Sequence, residues 1–592
     1  MGAAEVAHRI RELSKKTTGR LEQGWPRYGS RAPVRPVLDV RDLYRDNGSN
    51  LTQSASTFVA GNFRALGRDW PSRSEWSKSE YWSVDPTSGQ NWKDSGTYCF
   101  AIGYRGGELG DAKFPWELNR LQHLQAVALQ NSFHADPFYV EFLAGEISSW
   151  HETFPPFLGL PWASGIEVAL RSISLVVVSS VCDRSLTEKT LDQIRQILIA
   201  SRHWLRKFPS LHSSANNHLL AELAGQVVID CALEESIPPD LIAELVRQFS
   251  LLILSDGTPA EQSPSYGGFA VELMLVAARA LKSRNIDLPT EVRQRLCAFN
   301  EFVQELRDDH GVPDIGDNDA GRVLVDCFDQ NYVVRLAEWA LRADDRGGCE
   351  CRTTISAPRV RTFPEGGYSV MTNPRNSDPA YKLIFDHGPL GYLSIAAHGH
   401  ADALSILLTI RQQPVFIDAG TYLYHGAGEW RSILRSTALH NTAQVNGQDQ
   451  STMSGNFNWS THAKATLLMV EEECASVRVV ASHDGYMKRF GVTHQRSVDC
   501  RDKFILIEDL FSGPQCSPHI HFLLSQAIQV RIMPALELFC EDRRLATVSV
   551  ENGTIEVIEG WYAPSFGVLT PTKRLRVTPL NVSSPVSTKI SF

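Results

Sequence analysis

The segment WELNRLQHLQAVALQ, at positions 116–130, places apolar side chains three and four residues apart, the spacing of one face of an α-helix. The same spacing recurs in five later segments, at 166–182, 191–205, 217–232, 241–254 and 270–283. Short links that contain Gly, Pro or Asp separate these segments. Consecutive amphipathic helices with short links predict antiparallel helical hairpins, arranged as a bundle, a solenoid or a closed ring.

The pattern changes after about residue 346. Short alternating runs bounded by Gly, Asn, Asp and Pro take over, such as YKLIFDHG (381–388), ASVRVVASH (475–483) and DKFILIEDLF (502–511). They predict antiparallel strands in packed sheets. The stretch GGCECRTTISAPRV (347–360) is the predicted boundary between the two kinds of structure.

The chain is therefore predicted to have three parts. Residues 1–95, rich in Arg, Ser, Trp, Gly and Pro, form an irregular segment that packs on the helical domain. Residues 96–345 form the helical domain, and residues 346–592 form the β-rich domain. A chain of 592 residues is long enough for more than one core.

Composition excludes two classes of protein. The formal net charge is −9 and no basic arm is visible, so the sequence does not predict a nucleic-acid-binding protein. A polyanionic partner would need a locally basic cleft. The apolar run SISLVVVSSV (172–181) is too short to span a bilayer, and the sequence contains no apolar run that is long enough.

The compartment is predicted from two features. The N-terminal sequence MGAAEVAHRIRELSKKTTGR has no apolar core of a signal peptide and looks like a short charged helix. The 11 cysteines are scattered without a CxxC pair, which is typical of reduced, buried thiols. Both indicate a cytoplasmic protein, unless a leader precedes this sequence.

The most distinctive cluster is AAHGHADALSILLTIRQQPVFIDAGTYLYHG (396–426), followed by RSTALHNT. It places His398 and His400 two residues apart, then Asp418 and later His440. Two imidazoles and a carboxylate suit a zinc-type divalent ion with one position left open. On an extended segment, His398 and His400 would face the same groove. The alternative is a set of hydrogen-bonded loop histidines without an ion.

A second cluster, LHSSANNHLLAELAG (211–225), places Asn216, Asn217 and His218 at a predicted helix start. An asparagine before an apolar periodic run is typical of a helix cap, which is the preferred interpretation from the residues alone. The functional alternative is that Asn217 and His218 project from the helix start into a cleft.

A third cluster, SDGTPAEQSPSYGGF (255–269), carries Glu261 and Tyr266 between two helical runs. A tyrosine in such a loop is often surface decoration. A tyrosine near cations has a lowered pKa and serves as an acid or a base, which is the functional interpretation.

A fourth cluster, GDAKFPWELNRLQHL (110–124), groups charged and aromatic side chains within one or two helical turns: Lys113, Trp116, Glu117, Asn119 and Arg120. It is either the ordinary start of an amphipathic helix or a platform for a charged sugar. Arginine favours the second interpretation because its guanidinium matches carboxylates in a bidentate manner.

These four clusters, in this order, resemble the heparinase II/III superfamily of polysaccharide lyases, from about Gly110 to the mid-440s. HGHADALS, with FIDAGTYLY and ALHNT, is the most specific part, and NNH, DGxxxEQSPxY and PDIGDND (313–319) agree with it. The resemblance implies an α+β multidomain fold, with an incomplete (α/α) toroid followed by a C-terminal antiparallel β-sandwich. It also implies β-elimination on a uronate polymer of the glycosaminoglycan or alginate type, which leaves 4,5-unsaturated uronate ends.

The resemblance implies roles for individual residues. The residues matched to the catalytic cleft are Asn217, His218, Tyr266 and His398. The residues matched to the metal ligands are His400, Asp418 and His440. The residues expected to bind substrate are Lys113, Trp116, Glu117, Asn119, Arg120 and Glu261. The expected ion is zinc, with manganese or calcium as alternatives, and it braces the loop that carries His398. Many family members are periplasmic or secreted, whereas this sequence shows no signal; the resemblance leaves the oligomeric state open.

Three alternatives to a lyase remain at this point. A uronyl C5-epimerase forms the same carbanion but reprotonates C5 from the other face. A non-catalytic polysaccharide-binding protein would need a cleft, but binding alone would not need both Tyr266 and His398 in it. A hydrolase would use two carboxylates, such as Glu117 and Glu261.

Overall fold

The structure is a computed structural model that describes residues 3–18, 33–45, 48–92, 95–105, 109–182, 184–212, 215–327, 331–342, 359–373, 377–514, 516–532 and 535–592. Helices dominate up to Arg342, and strands dominate from Arg359 onward. The predicted boundary stretch lies outside the described residues, except for its last two positions. No helix in the described ranges is long and apolar enough to cross a membrane.

The first part of the chain contains fourteen helices and one short hairpin in the described ranges. The helices are α1 (Ala3–Thr18), α2 (Arg41–Tyr44), α3 (Gly48–Val59), α4 (Lys78–Tyr81), α5 (Lys113–Asn119), α6 (Gln122–Phe133), α7 (Pro137–Thr153), α8 (Gly165–Val181), α9 (Glu188–Lys207), α10 (Asn217–Ala232), α11 (Pro239–Leu252), α12 (Pro264–Lys282), α13 (Thr290–Leu306) and α14 (Tyr332–Arg342). The hairpin is β1 (Arg64–Ala65) with β2 (Arg68–Asp69).

These helices form two layers. The inner helices α6, α8, α10, α12 and α14 each pack on the next, and the outer helices α7, α9, α11 and α13 fill the gaps between them. Every residue of α8 is buried, whereas α9 buries only one face, as inner and outer positions require. In the described part of the chain, α6 and α14 share no extensive contact. The arrangement is therefore an open ring, the incomplete (α/α) toroid expected from the resemblance.

Two local predictions for the helical part are wrong. The segment 116–130 is not one helix, because Leu121 has φ +58° and separates α5 from α6. The N-terminal segment contains α1, the short charged helix expected at its start, but it is not irregular beyond that point, since it also contains α3. Helix α3 buries Leu51 and Ala55 and packs on α6. Its many Ser, Thr and Asn residues compete for backbone hydrogen bonds and obscure the helical signal.

Two helix starts fix the positions of predicted site residues. Asn216 caps α10, because its Oδ1 accepts a hydrogen bond from the His218 backbone N–H at 3.2 Å. Ser263 caps α12 through the Tyr266 backbone N–H, and Pro264 is the first residue of that helix. Asn217, His218 and Tyr266 therefore all lie in first turns.

The second part of the chain is antiparallel β-structure with two short helices. The strands are β3 (Arg359–Phe363), β4 (Tyr368–Asn373), β5 (Tyr381–Asp386), β6 (Ile406–Ile410), β7 (Gln413–Phe416), β8 (Ala443–Val445), β9 (Ala465–Glu472), β10 (Ser476–His483), β11 (Thr493–Arg501), β12 (Phe504–Ser512), β13 (Pro518–Leu523), β14 (Ile528–Ile532), β15 (Leu536–Cys540), β16 (Arg543–Glu551), β17 (Gly553–Ser565), β18 (Val568–Pro579) and β19 (Val586–Ser591). The helices are α15 (Trp430–Leu434) and α16 (Met487–Phe490).

These strands make three sheets. One has eight strands in the order β14-β15-β16-β19-β12-β11-β10-β9, one has four in the order β17-β18-β13-β8, and one runs β3 to β7 in sequence order. Side chains from all three sheets share one core, including Leu383, Ile507 and Ile520. Alternate residues of β12 are buried, which is the pattern of a strand with one face on a core.

Candidate functional site

The candidate site lies where the helical toroid meets the β-rich part. Asn217 comes from the start of α10, Tyr266 from the start of α12, and His398 from the connection between β5 and β6. Asn217 Nδ2 is 3.2 Å from His398 Nε2. The rings of Tyr266 and His398 stack with centroids 3.7 Å apart and planes inclined by 19°. Three of the residues selected from the sequence thus meet at one place.

Glu261 belongs to the same group. Asn217 Nδ2 donates to both of its carboxylate oxygens, at 3.0 and 3.1 Å. His398 Nε2 lies 3.8 Å from Glu261 Oε1. Burial raises the pKa of Glu261, although His398 and Asn217 oppose the rise. A carboxylate of this chain therefore already engages the two side chains that would receive a uronate carboxylate.

His218 stands beside this group with its ring half-buried. Burial, together with the nearby His398, lowers the pKa of His218 to about 4. Its imidazole is therefore neutral at neutral pH, with a ring nitrogen lone pair able to accept a proton.

The pKa of Tyr266 is shifted upward, whereas that of His218 is shifted downward. Its hydroxyl is buried and lies 2.6 Å from the Tyr424 hydroxyl. Burial and the carboxylates of Asp319 and Asp317 raise the pKa of Tyr266 well above its usual range. The expectation of a lowered pKa is wrong, because carboxylates and desolvation outweigh any cation near the ring. Tyr266 is a protonated phenol at neutral pH.

Asp317 connects His398 to the predicted metal ligands. Its Oδ2 lies 3.1 Å from His398 Nδ1, and its Oδ1 lies 3.1 Å from His400 Nε2. Arg431 donates to both oxygens, at 2.5 and 2.7 Å. Burial alone would raise the pKa of Asp317, but Arg431 and the two imidazoles hold it well below its usual range. One buried carboxylate thus orients both rings.

A close backbone approach brings Asp317 to this position. The Asp317 backbone N–H donates to the His398 carbonyl at 2.9 Å. The preceding Gly316 has φ +64°, and a Cβ there would lie 2.6 Å from the Gln262 carbonyl oxygen and 2.8 Å from that of His398. Only glycine combines this backbone conformation with this approach.

Asp317, Tyr424 and Arg431 are site residues that the sequence analysis did not select. Asp317 lies within the PDIGDND marker, and Tyr424 lies within FIDAGTYLYHG, so both occurred in motifs already singled out. Arg431 belongs to α15, which carries no motif. Only its contact with Asp317 and its position 5.0 Å from the centroid of the Tyr424 ring identify it.

His400, Asp418 and His440 form a compact group of possible metal ligands. One ligand atom from each lies within 4.8 Å of the others. His400 Nδ1 and His440 Nε2 face each other at 3.1 Å, and Asp418 Oδ2 is 3.4 Å from His440 Nε2.

The remaining ring nitrogens of the two histidines are already engaged. His440 Nδ1 donates to the Ser436 carbonyl at 2.8 Å, while His400 Nε2 faces Asp317. Partners of this kind orient histidine ligands toward a metal, so the donor set fits one divalent ion.

The family comparison agrees with this geometry. Residues 356–591 match the family model described as heparinase II/III-like, C-terminal. The match spans the C-terminal, β-rich part of the chain. A search of curated proteins finds no match to the chain.

Solved structures extend the comparison to the whole chain. A crystal structure of heparinase III has 17% identity and a TM-score of 0.67, and the match covers 92% of this chain and 84% of that one. A heparan sulfate lyase from Pedobacter heparinus has 16% identity and a TM-score of 0.56, over 98% and 87%. A Streptomyces coelicolor A3 chondroitin AC lyase has 11% identity and a TM-score of 0.50, over 100% and 83%. The predicted toroid and β-sandwich are confirmed.

The platform predicted for substrate binding is largely committed to internal contacts. Lys113 pairs with Glu117 at 3.1 Å and with Asp319 at 3.2 Å. Arg120 is buried between Glu117 and Glu167, each at 2.8 Å. Glu117 thus neutralises two cations, which removes the support for a hydrolase carboxylate pair with Glu261.

Asn119 and Trp116, which were also predicted to bind substrate, differ from each other in burial. Asn119 is buried, donates to the Trp82 and Pro115 carbonyls, and accepts from Trp150 Nε1 at 2.8 Å. These contacts turn its amide into the core and do not support its predicted role in substrate binding, which stays a prediction. Trp116 is half-buried, and its Nε1 donates to the Leu160 carbonyl at 3.1 Å.

Removal of metal tests the His400–Asp418–His440 group. We expect one divalent ion per chain in the purified protein, and a lower melting temperature after chelation, because an ion bound only by the folded state stabilises that state. The measurements are metal analysis and calorimetry. His440→Ala should remove both the ion and the effect of the chelator. An unchanged melting temperature together with no stoichiometric ion would reject the site.

Proposed function

We propose that this protein is a polysaccharide lyase that cleaves an acidic, uronate-containing polysaccharide by β-elimination. The observation that carries the proposal is the meeting of Asn217, Tyr266 and His398 from three separate chain segments. The structurally similar proteins described as heparinase III, heparan sulfate lyase and chondroitin AC lyase support the same substrate class. The substrate is a uronate polymer of the glycosaminoglycan or alginate type.

The chemistry requires a site that stabilises charge on the uronate carboxylate. The C5 proton is weakly acidic, and its removal spreads negative charge onto that carboxylate. Donors fixed in advance in a water-poor site stabilise this charge. Asn217 and His398 are placed to supply them, because Asn217 Nδ2 already binds a carboxylate, that of Glu261. Asp317 holds the His398 ring so that Nε2 faces Asn217.

The protonation states of His218 and Tyr266 assign one proton transfer to each residue. His218 is neutral and accepts the C5 proton as the base. Tyr266 is protonated and donates its phenolic proton to the O4 leaving oxygen. The C4–O4 bond then breaks while the C4–C5 double bond forms, and the product is a 4,5-unsaturated uronate. This division suits uronates whose C5 hydrogen and O4 lie on opposite faces of the ring.

A uronate of the other configuration would place both reacting groups on the Tyr266 side. Tyr266 would then have to act as base as well as acid. Its raised pKa opposes the ionised form, and the Tyr424 hydroxyl at 2.6 Å is not a base that could take its proton, because burial also raises the pKa of Tyr424 well above its usual range. We therefore expect slower cleavage of such polymers.

The metal group has a supporting role in this proposal. His400, Asp418 and His440 would hold the ion, zinc first, with manganese or calcium as alternatives. When bound, the ion would supply rigidity to the segment that carries His398, two residues from His400. The catalytic proton transfers remain with Tyr266 and His218.

A substrate panel tests the proposal. The purified protein is incubated with heparan sulfate, chondroitin, hyaluronan, alginate and a uronate-containing bacterial exopolysaccharide. We expect ultraviolet-absorbing, shortened products from at least one of them. The same reaction in heavy water provides the alternative outcome. Full-length polymer with deuterium at C5 and no unsaturated ends would replace the lyase with a uronyl C5-epimerase.

A further inference from the structure

A small cavity adjoins the His400–Asp418–His440 group, since His400 is part of its lining. Its lining includes the side chains of Asp386, at the end of β5, and of Asp402, two residues after His400. His400 and Gln450 line the same cavity. Both carboxylates are buried. The cavity therefore presents several oxygen atoms to one enclosed space.

The carboxyl groups of Asp386 and Asp402 interact with each other and with the imidazole of His440. Asp386 Oδ1 also accepts a hydrogen bond from the Gly388 backbone N–H at 2.8 Å. In the described part of the chain, no Lys or Arg is among the main electrostatic neighbours of Asp386 or Asp402. Together with Asp418, three carboxyl groups lie near the imidazoles of His400 and His440. An ionised carboxylate buried without a partner is costly, and a cation in the cavity is the partner that would stabilise the ionised form of Asp386 and Asp402.

Gln450 provides an independent observation. Its Nε2 donates to the Ala403 carbonyl at 2.9 Å and to Thr442 Oγ1 at 3.2 Å. The Ala403 carbonyl can only accept, so this contact fixes which end of the amide is nitrogen. The opposite atom, Gln450 Oε1, is buried, and no donor among the described residues reaches it. A buried acceptor of this kind calls for a cation or another donor in the cavity.

We propose that Asp386, Asp402 and Gln450 Oε1 bind a second cation, of the calcium or magnesium class, beside the histidine group. All three donors are oxygen atoms, which hard cations prefer, whereas the neighbouring imidazole nitrogens suit a borderline metal such as zinc. The second ion offsets the charge of Asp386 and Asp402. It also ties the end of β5 to the segment that carries His398 and His400. This inference does not depend on the proposed lyase activity.

The test counts ions in the zinc-loaded protein. Metal-free full-length chain is reloaded with one zinc equivalent and titrated with calcium chloride or magnesium chloride by calorimetry and native mass spectrometry. We expect one further ion per chain without loss of zinc, and a higher melting temperature. Asp402→Asn and Gln450→Met should lose this second binding event and keep the zinc. Glu556→Gln, which removes an exposed carboxylate of β17, is the matched control and should bind both ions.

A second measurement separates a lost ligand from a damaged fold. In metal-free protein, Asp402→Asn should keep the circular dichroism spectrum and the cooperative unfolding of the wild type, whereas calcium should no longer raise its melting temperature. Uptake of neither calcium nor magnesium by the zinc-loaded wild type would overturn the proposal. Displacement of zinc by calcium, or undiminished calcium binding by Asp402→Asn, would overturn it as well.

Discussion

Tyr266→Phe is expected to lose on the order of 10²–10⁴ in the rate of elimination, the usual contribution of a positioned acid or base. The phenylalanine ring keeps the stacking on His398, so folding and polymer binding should persist. The change removes only the hydroxyl that donates to O4 and that lies 2.6 Å from Tyr424. The measurement is the initial rate of ultraviolet absorbance on the best polymer of the panel, with binding followed separately by calorimetry.

Tyr486→Phe is the matched control for this variant. Tyr486 is also a buried tyrosine with one clear hydrogen bond, to the Ala443 carbonyl at 2.8 Å, but it lies in the β-rich core. It should lose a comparable amount of stability and retain the wild-type rate. A Tyr266→Phe enzyme that cleaves as fast as Tyr486→Phe would remove the phenol from the mechanism.

The features that were predicted best from the sequence are those that depend only on neighbouring residues. The start of α10 follows from Asn216, because a cap needs only the backbone two residues ahead. The alternation along β12 follows from a period of two. The expectation that Tyr266 lies in a loop before the helical run at 270–283 is wrong, because α12 already begins at Pro264, after the Ser263 cap.

Long-range features could not be predicted in the same way. The role of Asp317 depends on contacts with His398, His400 and Arg431, which are 81 to 114 residues away in the chain. The commitment of Asn119 to the core depends on Trp82 and Trp150. The raised pKa of Tyr266 depends on burial by the surrounding fold and on carboxylates from another segment. None of these partners leaves a periodic or spacing signal in the sequence.

Asp317→Ala is expected to destabilise the protein by about 3–5 kcal/mol, the usual cost of breaking a buried ion pair by removing one partner. Arg431 would keep its charge in a buried position without the two hydrogen bonds that Asp317 accepts. The variant should also lose metal and elimination activity together, since His398 and His400 lose the carboxylate that orients them. Denaturant unfolding, metal analysis and the elimination rate measure the three effects.

A double variant separates the ion pair from the histidine contacts. Asp317→Leu with Arg431→Met replaces the buried pair by apolar side chains, a change that is often neutral or stabilising. It should recover much of the stability lost in Asp317→Ala, while metal and activity stay low, because neither new side chain binds an imidazole.

The matched control is Asp509→Ala, which breaks a second buried group with Arg496 at 2.8 Å and His494 at 2.7 Å. That variant should be similarly destabilised but keep its metal and its rate per folded molecule. If Asp317→Ala behaved like Asp509→Ala, Asp317 would stabilise the fold without linking the metal group to His398.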